Sequence, residues 1–279
     1  MKKRKKVLII VVCVVAVLTI TQLIILGAMG GIGPLKFIRD NKMAKDPGNA
    51  AEYHLENVTP LENSPLAGKK LLFLGSSVTY GSASLGVSMA DYIAVLDSCD
   101  VVKEAVSGTT LAKMGASTYV SRLLNVDTSQ KFDAVICQLS TNDATQKIAL
   151  GEISTSTELE DFDRNTVIGA MDFNTGTIIG ALEYILTYVK QTWDCPVIFY
   201  TGTKYDSEPY AAMVDALLRL QDKWDIGVID LWNDPDMNAV SADDYDFYMN
   251  DSIHPTQAGY LKWWTPKFEA YLAEILAAE

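Results

Sequence analysis

Residues 70–81 read KLLFLGSSVTYG, and this stretch guides the interpretation of the rest of the chain. Its first half is a short apolar run that ends at Gly75, which is typical of a strand buried within a parallel sheet. Its second half is a turn of small and hydroxyl-bearing residues around Ser77. Since ligands of α/β sheets gather at the carboxyl ends of the strands, the stretch predicts a strand with a candidate reactive serine at its end.

Apolar runs and helical periodicity continue to alternate after residue 81. Four further strands are predicted at residues 100–106, 132–139, 196–200 and 226–231. Between them, apolar residues recur at helical spacing, as in Ile178, Leu182, Ile185 and Val189. Five such alternations predict an α/β fold with a parallel sheet and helices on both of its faces.

One segment does not fit this alternation. Residues 144–174 form a long stretch with many acidic residues between the third predicted strand and the next helix. A loop of that length in a compact domain is usually functional or carries small structure of its own. Because it begins two residues after Asn142, we expect it to overhang the candidate site.

Charge is distributed unevenly along the chain. It has 279 residues with 23 basic and 35 acidic side chains, and residues 1–35 hold five of the cations and no acid. The remainder carries a net charge of −17, which excludes general nucleic-acid binding because it could not neutralise phosphates. A hydrophobic content of 49% and a charged content of 21% exclude a disordered chain.

The N-terminal residues predict export. Residues 1–6 form a basic cytoplasmic end, and no charged residue follows until Lys36. Residues 7–27 predict a transmembrane signal-anchor, since about 20 helical residues match a hydrocarbon core of ~30 Å. The preceding cations place the bulk of the chain outside the cell, on a single-pass anchor. A signal peptide cleaved after residues 28–30, giving a secreted protein, stays open as the alternative.

The remaining sequence divides into two parts. Residues 28–68 are rich in proline, glycine and polar residues with little periodicity, and they predict a tether. Residues 69–279 contain the predicted strands and helices and form the expected globular domain. Three cysteines of this exported part, Cys99, Cys137 and Cys195, have no zinc-site spacing and are interpreted as small buried side chains.

Residues that could act together as a nucleophilic triad follow the predicted strands. A serine is a weak nucleophile until a base accepts its proton, and the base needs an acid that orients it. The chain has two histidines, and His54 lies in the predicted tether, so His254 is the candidate base for Ser77. Asp251 precedes it by three residues and can hold the far nitrogen of the ring, while Pro255 fixes the loop.

Donors for a developing oxyanion are also present at predicted strand ends. The backbone amides of Ser77 and Gly108 and the side-chain amide of Asn142 can supply three hydrogen bonds. Each feature alone has an ordinary structural explanation, such as a cap or a turn. Their order along the chain, each after a predicted strand, favours a shared site.

These segments resemble the SGNH (GDSL-type) hydrolase family over residues 70–276. The resemblance rests on four blocks, which are GSSVTYG at 75–81, Gly108, Asn142-Asp143, and DSIHP at 251–255. It implies a three-layer α/β/α fold with a flavodoxin-like, five-stranded parallel sheet. It also implies that Ser77 is the nucleophile, His254 the base and Asp251 its orienting acid, with Ser77, Gly108 and Asn142 as the oxyanion hole.

Two positions depart from the family pattern. The family has aspartate where this chain has Ser76, and glycine where it has Ser140. Neither position supplies a triad group or an oxyanion donor. We expect the turn at Ser76 to be kept, and we expect the side chain of Ser140 to narrow the approach to Asn142.

The sequence and the resemblance together predict an extracellular serine esterase. The expected substrates are short-chain acyl esters, above all acetyl esters, on a small molecule or a polysaccharide. No cofactor or metal is expected, and no nucleic-acid partner. Two alternatives stay open, an O-acyltransferase that uses the same triad and a non-catalytic surface protein that binds carbohydrate.

Overall fold

The computed structural model describes residues 2–28, 36–112, 117–155 and 173–277. The chain forms two compact units, Met1–Asp46 and Pro47–Glu279. The second unit therefore begins before residue 69, where the sequence predicts the start of the globular domain. The physical reason is that residues 47–68 are tied to later segments, for example through the Asn49 side chain, which donates to the Ala83 carbonyl at 2.7 Å.

The first unit contains two helices, α1 (Lys2–Ala28) and α2 (Phe37–Met43). Helix α1 includes the predicted anchor at residues 7–27. Within the described part of the chain, no helix combines the length and the apolar character needed to cross a bilayer, so the anchor is not confirmed. The alternative cleavage site at residues 28–30 lies largely outside the described residues.

The second unit is built on a parallel five-stranded sheet. Its strands are β1 (Lys70–Gly75), β2 (Asp100–Ala105), β3 (Ala134–Gln138), β4 (Val197–Tyr200) and β5 (Gly227–Ile229). They lie in the order β2-β1-β3-β4-β5, and every neighbouring pair is parallel. This is the flavodoxin-like order, and all five predicted strands are present with ends that differ by a few residues. The predicted fold class is confirmed.

Helices connect the strands of this unit and complete its layers. They are α3 (Ser77–Tyr80), α4 (Met89–Leu96), α5 (Tyr119–Leu123), α6 (Thr141–Thr145), α7 (Ile178–Trp193), α8 (Glu208–Trp224), α9 (Pro235–Asn238), α10 (Ala242–Tyr248), α11 (Gln257–Gly259) and α12 (Thr265–Ala277). Three 3₁₀ turns precede β1, at Pro47–Asn49, Ala51–Tyr53 and Leu55–Asn57. Residues 156–172, the centre of the long acidic segment, lie outside the described residues.

Both faces of the sheet are covered by apolar side chains. In β1, Leu72 and Leu74 pack into one hydrophobic cluster, while Leu71 and Phe73 pack into the cluster on the opposite face. All four side chains are fully buried. Burial of each of these side chains stabilises the fold by about 1.5–3 kcal/mol. The run at 70–74 therefore contributes to the hydrophobic core on both faces of the sheet.

The C-terminal helical region contains a π-helical turn, Tyr260–Trp264, between α11 and α12. The sequence predicts that a helix restarts at Thr265-Pro266 with Thr265 as its cap. Thr265 instead has helical backbone angles, so the helical path is continuous, and α12 begins at Thr265, one residue before the proline. Pro266 has no N–H to donate to the preceding turn, and a π-helical turn is one way for a helix to accommodate that loss.

Candidate active site

The turn that carries Ser77 (residues 75–81, here called the nucleophile turn) follows β1 directly. Ser77 is the first residue of α3 and is 8% exposed. A side chain at Gly75 would collide with the Thr79 hydroxyl, so the strand needs glycine at its end. Gly81 ends α3 with φ of 83°, a left-handed conformation that favours glycine. The two glycines therefore make the turn tight and hold Ser77 at the carboxyl edge of the sheet.

The histidine loop (residues 249–255) connects α10 to α11. Its ends pair through a β-bridge between Met249 and Pro255, and the Asn250 amide donates to the His254 carbonyl at 2.9 Å. Inside the loop, the backbone amides of Ile253 and His254 both donate to Asp251 Oδ1, at 2.8 and 2.9 Å. The loop is thus closed by contacts between near neighbours in the chain.

Ser77, His254 and Asp251 form one hydrogen-bonded chain. His254 Nε2 lies 2.8 Å from Ser77 Oγ, and Nδ1 lies 2.9 Å from both carboxylate oxygens of Asp251. Burial on its own would raise the pKa of Asp251, but the His254 ring and the two amides lower it below its usual value. Asp251 therefore remains a carboxylate that can orient the ring and stabilise its charged form.

The candidate oxyanion donors Gly108 and Asn142 follow β2 and β3, the two strands that flank β1 in the sheet. Gly108 has φ of 79°, and a Cβ at this position would meet open space. Its left-handed backbone, not crowding, is what favours glycine here. Asn142 lies in the first turn of α6 and donates one N–H to the Thr109 carbonyl at 2.8 Å. A carboxamide has two N–H bonds, so Asn142 can offer the second to an oxyanion next to Ser77.

The sequence comparison identifies the family. The model of the GDSL-like Lipase/Acylhydrolase family matches residues 73–262, which is more than half of the chain. The chain belongs to this family. Members are ester hydrolases, and the matched residues include every block from the nucleophile turn to the histidine loop. No curated protein sequence matches the chain significantly.

Solved structures share the fold of this GDSL-like hydrolase. A protein from Lactobacillus plantarum has a TM-score of 0.60 at 17% identity, covering 75% of this chain and 98% of its own. A "possible lipase" from Chitinophaga pinensis has a TM-score of 0.53 at 13% identity, covering 74% of this chain and 98% of its own. At such identities the likeness concerns the fold alone.

The two departures from the GDSL-like pattern are accommodated by hydrogen bonds. Ser76 and Ser140 are both fully buried. The Ser76 amide donates to Gln138 Oε1 at 2.9 Å, which keeps the nucleophile turn attached to β3. Ser140 Oγ accepts the Asp143 amide at 3.4 Å and caps α6. Ser140 therefore supports the helix that carries Asn142.

Three buried polar residues, here called the support residues, hold the turns of the site together. They are Arg122, Gln138 and Asp143. Arg122 Nη2 donates to the Gly75 carbonyl at 2.7 Å, and its Nη1 donates to the Glu104 carbonyl at 2.5 Å. Arg122 therefore ties the ends of β1 and β2 together, directly before the nucleophile turn and the Gly108 turn.

Gln138 and Asp143 complete this arrangement. Gln138 Oε1 accepts from the Thr79 hydroxyl at 2.8 Å in addition to the Ser76 amide. The Asp143 carboxylate accepts the amides of Leu111 and Ala112, at 2.7 and 2.9 Å, one on each oxygen. Burial raises the pKa of Asp143, and these hydrogen bonds oppose that shift. The sequence predicts no role for Arg122 or Gln138, since neither residue lies in a recognisable motif.

His54 and the three cysteines of the second unit are not part of the hydrogen-bonded chain. His54 Nε2 lies 3.3 Å from the Asn49 carbonyl, and its ring does not belong to the hydrogen-bonded chain of the triad. In the part of the chain that the structure describes, no three His, Cys, Asp or Glu side chains are placed to hold a metal ion. Cys137 and Cys195 are buried, and Cys99 is partly buried.

Proposed function

We propose that this chain is a serine esterase that hydrolyses short-chain acyl esters, acetyl esters above all, on carbohydrate. The observation that carries the proposal is the hydrogen-bonded chain from Ser77 Oγ through His254 to Asp251. Within a family of ester hydrolases, this arrangement supplies a nucleophile, a base and an orienting acid at once. The carbohydrate part rests on the proposed extracellular position and on the family.

Acylation begins with proton transfer. His254 Nε2 accepts the proton of Ser77 as Oγ forms a bond to the ester carbonyl carbon. The carbonyl oxygen becomes an oxyanion, which the N–H groups of Ser77, Gly108 and Asn142 stabilise. His254 then gives its proton to the alcohol oxygen, the carbon–oxygen bond breaks, and the acyl group remains on Ser77.

Deacylation repeats these steps with water. His254 removes a proton from a water molecule, whose oxygen attacks the acyl carbon. The second tetrahedral intermediate breaks to give the carboxylic acid, and Ser77 recovers its proton from His254. Asp251 stays ionised throughout, consistent with its lowered pKa, and stabilises the imidazolium that forms twice in each cycle.

A fluorophosphonate probe tests the proposal, because it labels an activated serine covalently. We expect labelling of the wild type and none of Ser77→Ala, with Ser129→Ala as the control for an exposed serine. Wild type should also release acetate from p-nitrophenyl acetate. A folded wild type that is neither labelled nor active would overturn the proposal and favour a binding protein. Transfer of acetyl to an added sugar in preference to water would assign an O-acyltransferase instead.

We also propose that the enzyme is exported and held on a single-pass anchor by residues 7–27. The basic residues 2–6 and the uncharged run that follows support this. Protease added to intact cells should digest the domain, and the mature protein should retain its first residues. A mature N-terminus near Gly31 would show a secreted protein, and full protection from protease would refute export.

A further inference from the structure

A small cavity lies directly beside the proposed triad. Its lining includes Val78, Thr141 and Ile253. Each is the immediate sequence neighbour of a site residue, namely Ser77, Asn142 and His254. Because neighbours of all three of these residues line it together, the cavity borders the proposed site.

The cavity is small. Its volume is about 10 Å³, which gives room for about one water-sized group. A methyl group is of that size, whereas a propyl or longer alkyl chain is not. If an acyl chain occupies this cavity, acetyl fits and each further methylene has to displace a wall.

The walls of the cavity are held firmly. The Tyr200 hydroxyl lies 2.6 Å from that of Thr79, which connects this wall to the nucleophile turn. The Tyr210 hydroxyl donates to the Leu139 carbonyl at 3.1 Å and accepts the Gly202 amide at 2.8 Å. Tyr205 packs on Tyr210 with ring centroids 5.3 Å apart. Enlarging the cavity would therefore break hydrogen bonds or aromatic contacts.

One wall carries a buried polar atom. Thr203 is 4% exposed, and its Oγ1 has no hydrogen-bond partner among the described residues. A buried hydroxyl without a partner is costly for the fold whatever occupies the cavity. Thr203 therefore limits the acyl chain through the space that its side chain fills in the wall.

We propose that this cavity is the acyl pocket of the enzyme, that it limits the acyl group to two carbons, and that Tyr205 and Thr203 set this limit. The inference rests on the proposed esterase activity and adds the residues that select the acyl group. Tyr205 is the wall that can be removed most simply, because it is partly exposed and lies on the loop after β4.

Rates on p-nitrophenyl acetate, propionate, butyrate and hexanoate test the acyl pocket. For the wild type we expect kcat/KM to fall about 10-fold or more with each added methylene. Tyr205→Ala should raise the butyrate-to-acetate ratio about 10-fold or more. The matched control is Tyr245→Ala, an aromatic residue that lines a neighbouring, larger cleft. It should leave the profile unchanged.

Thr203→Ala provides a second test, because it shortens another wall of the cavity. We expect it to raise the propionate-to-acetate ratio about 5-fold by adding space for one methylene. A wild type that is labelled by fluorophosphonate but prefers butyrate or hexanoate would refute the acyl pocket while the esterase stands. An unchanged profile in Tyr205→Ala would do the same. Absence of both labelling and ester turnover would refute both proposals.

Discussion

The histidine loop and the support residues hold the same site by different means. The loop is closed by hydrogen bonds between residues two to four positions apart, and its Asp251 side chain is 52% exposed. Arg122, Gln138 and Asp143 are at most 8% exposed, and they hold backbone groups that lie 18–62 residues away. Asp251 and His254 thus sit at an accessible edge, while the groups that align the turns of the site are deep in the fold. Loss of the His254 side chain should affect turnover alone, and loss of a support residue should affect both turnover and stability.

The largest expected effect is on turnover and comes from the histidine loop. His254→Ala removes the base, and kcat/KM for p-nitrophenyl acetate should fall about 10⁴-fold or more. The midpoint of thermal unfolding should change by less than about 3 °C, because the ring is not part of the core. His54→Ala is the matched control and should keep full activity. Residual activity within 10-fold of wild type would contradict the assignment of His254.

A smaller effect on turnover, joined to a loss of stability, is expected from the support residues. In Asp143→Asn, one of the two amides of Leu111 and Ala112 would face an NH₂ group in place of an acceptor. We expect a loss of about 1–3 kcal/mol in the free energy of unfolding, measured in urea. We also expect a fall in kcat of about 10–100-fold, because the Gly108 turn shifts.

Asp127→Asn is the control for this prediction, since that carboxylate also accepts a backbone amide but is exposed. It should change neither quantity measurably. If Asp143→Asn lost activity with full stability, the distinction between the histidine loop and the support residues would not hold.

The smallest effect on turnover is expected from Glu269 on α12, which belongs neither to the histidine loop nor to the support residues. Burial and the neighbouring Asp97 carboxylate raise the pKa of Glu269 to about 7. Asp97 is itself buried and accepts a hydrogen bond from Ser64 at 2.5 Å. A raised carboxyl pKa stabilises the fold at low pH, and this stability is lost as the pH rises toward and through 7.

Glu269→Gln should therefore stabilise the protein by about 1–3 kcal/mol at pH 8 and have little effect at pH 4. Ester turnover at pH 7 should not change. Unfolding in urea at the two pH values measures the difference, with the exposed Glu274→Gln as control. Equal stabilisation at both pH values would show that ionisation of Glu269 is not the cause.

Most of the fold was predictable because its signals are local. The segments predicted as strands at 70–74, 100–106, 132–139, 196–200 and 226–231 each overlap an observed strand. The inner strands β1, β3 and β4 are almost entirely buried and mostly apolar, so they stand out from their surroundings, whereas the edge strand β2 is partly exposed and carries charged residues. The meeting of Ser77, His254 and Asp251 was predictable for a related reason, since a strand end and a short loop place them in recognisable order.

The support residues and the domain boundary could not be predicted in this way. Arg122 acts on carbonyls of β1 and β2, and Gln138 acts on a turn about 60 residues earlier in the chain. Such contacts depend on the tertiary structure and leave no periodicity in the sequence. Residues 47–57 show little periodicity for the same reason, because they form short 3₁₀ turns fixed by packing on distant segments.

The packing of Gly48 and Asn49 determines where a functional fragment of the protein can begin. A side chain at Gly48 would collide with Thr256, directly after the histidine loop. Asn49 bonds both to the Ala83 carbonyl, behind the nucleophile turn, and to the Gln257 amide at 2.8 Å. Asn49 thus connects the segment after the nucleophile turn to the segment after the histidine loop. A recombinant fragment for crystallisation or assay should start before Pro47, because one that starts at residue 69 would lack these contacts.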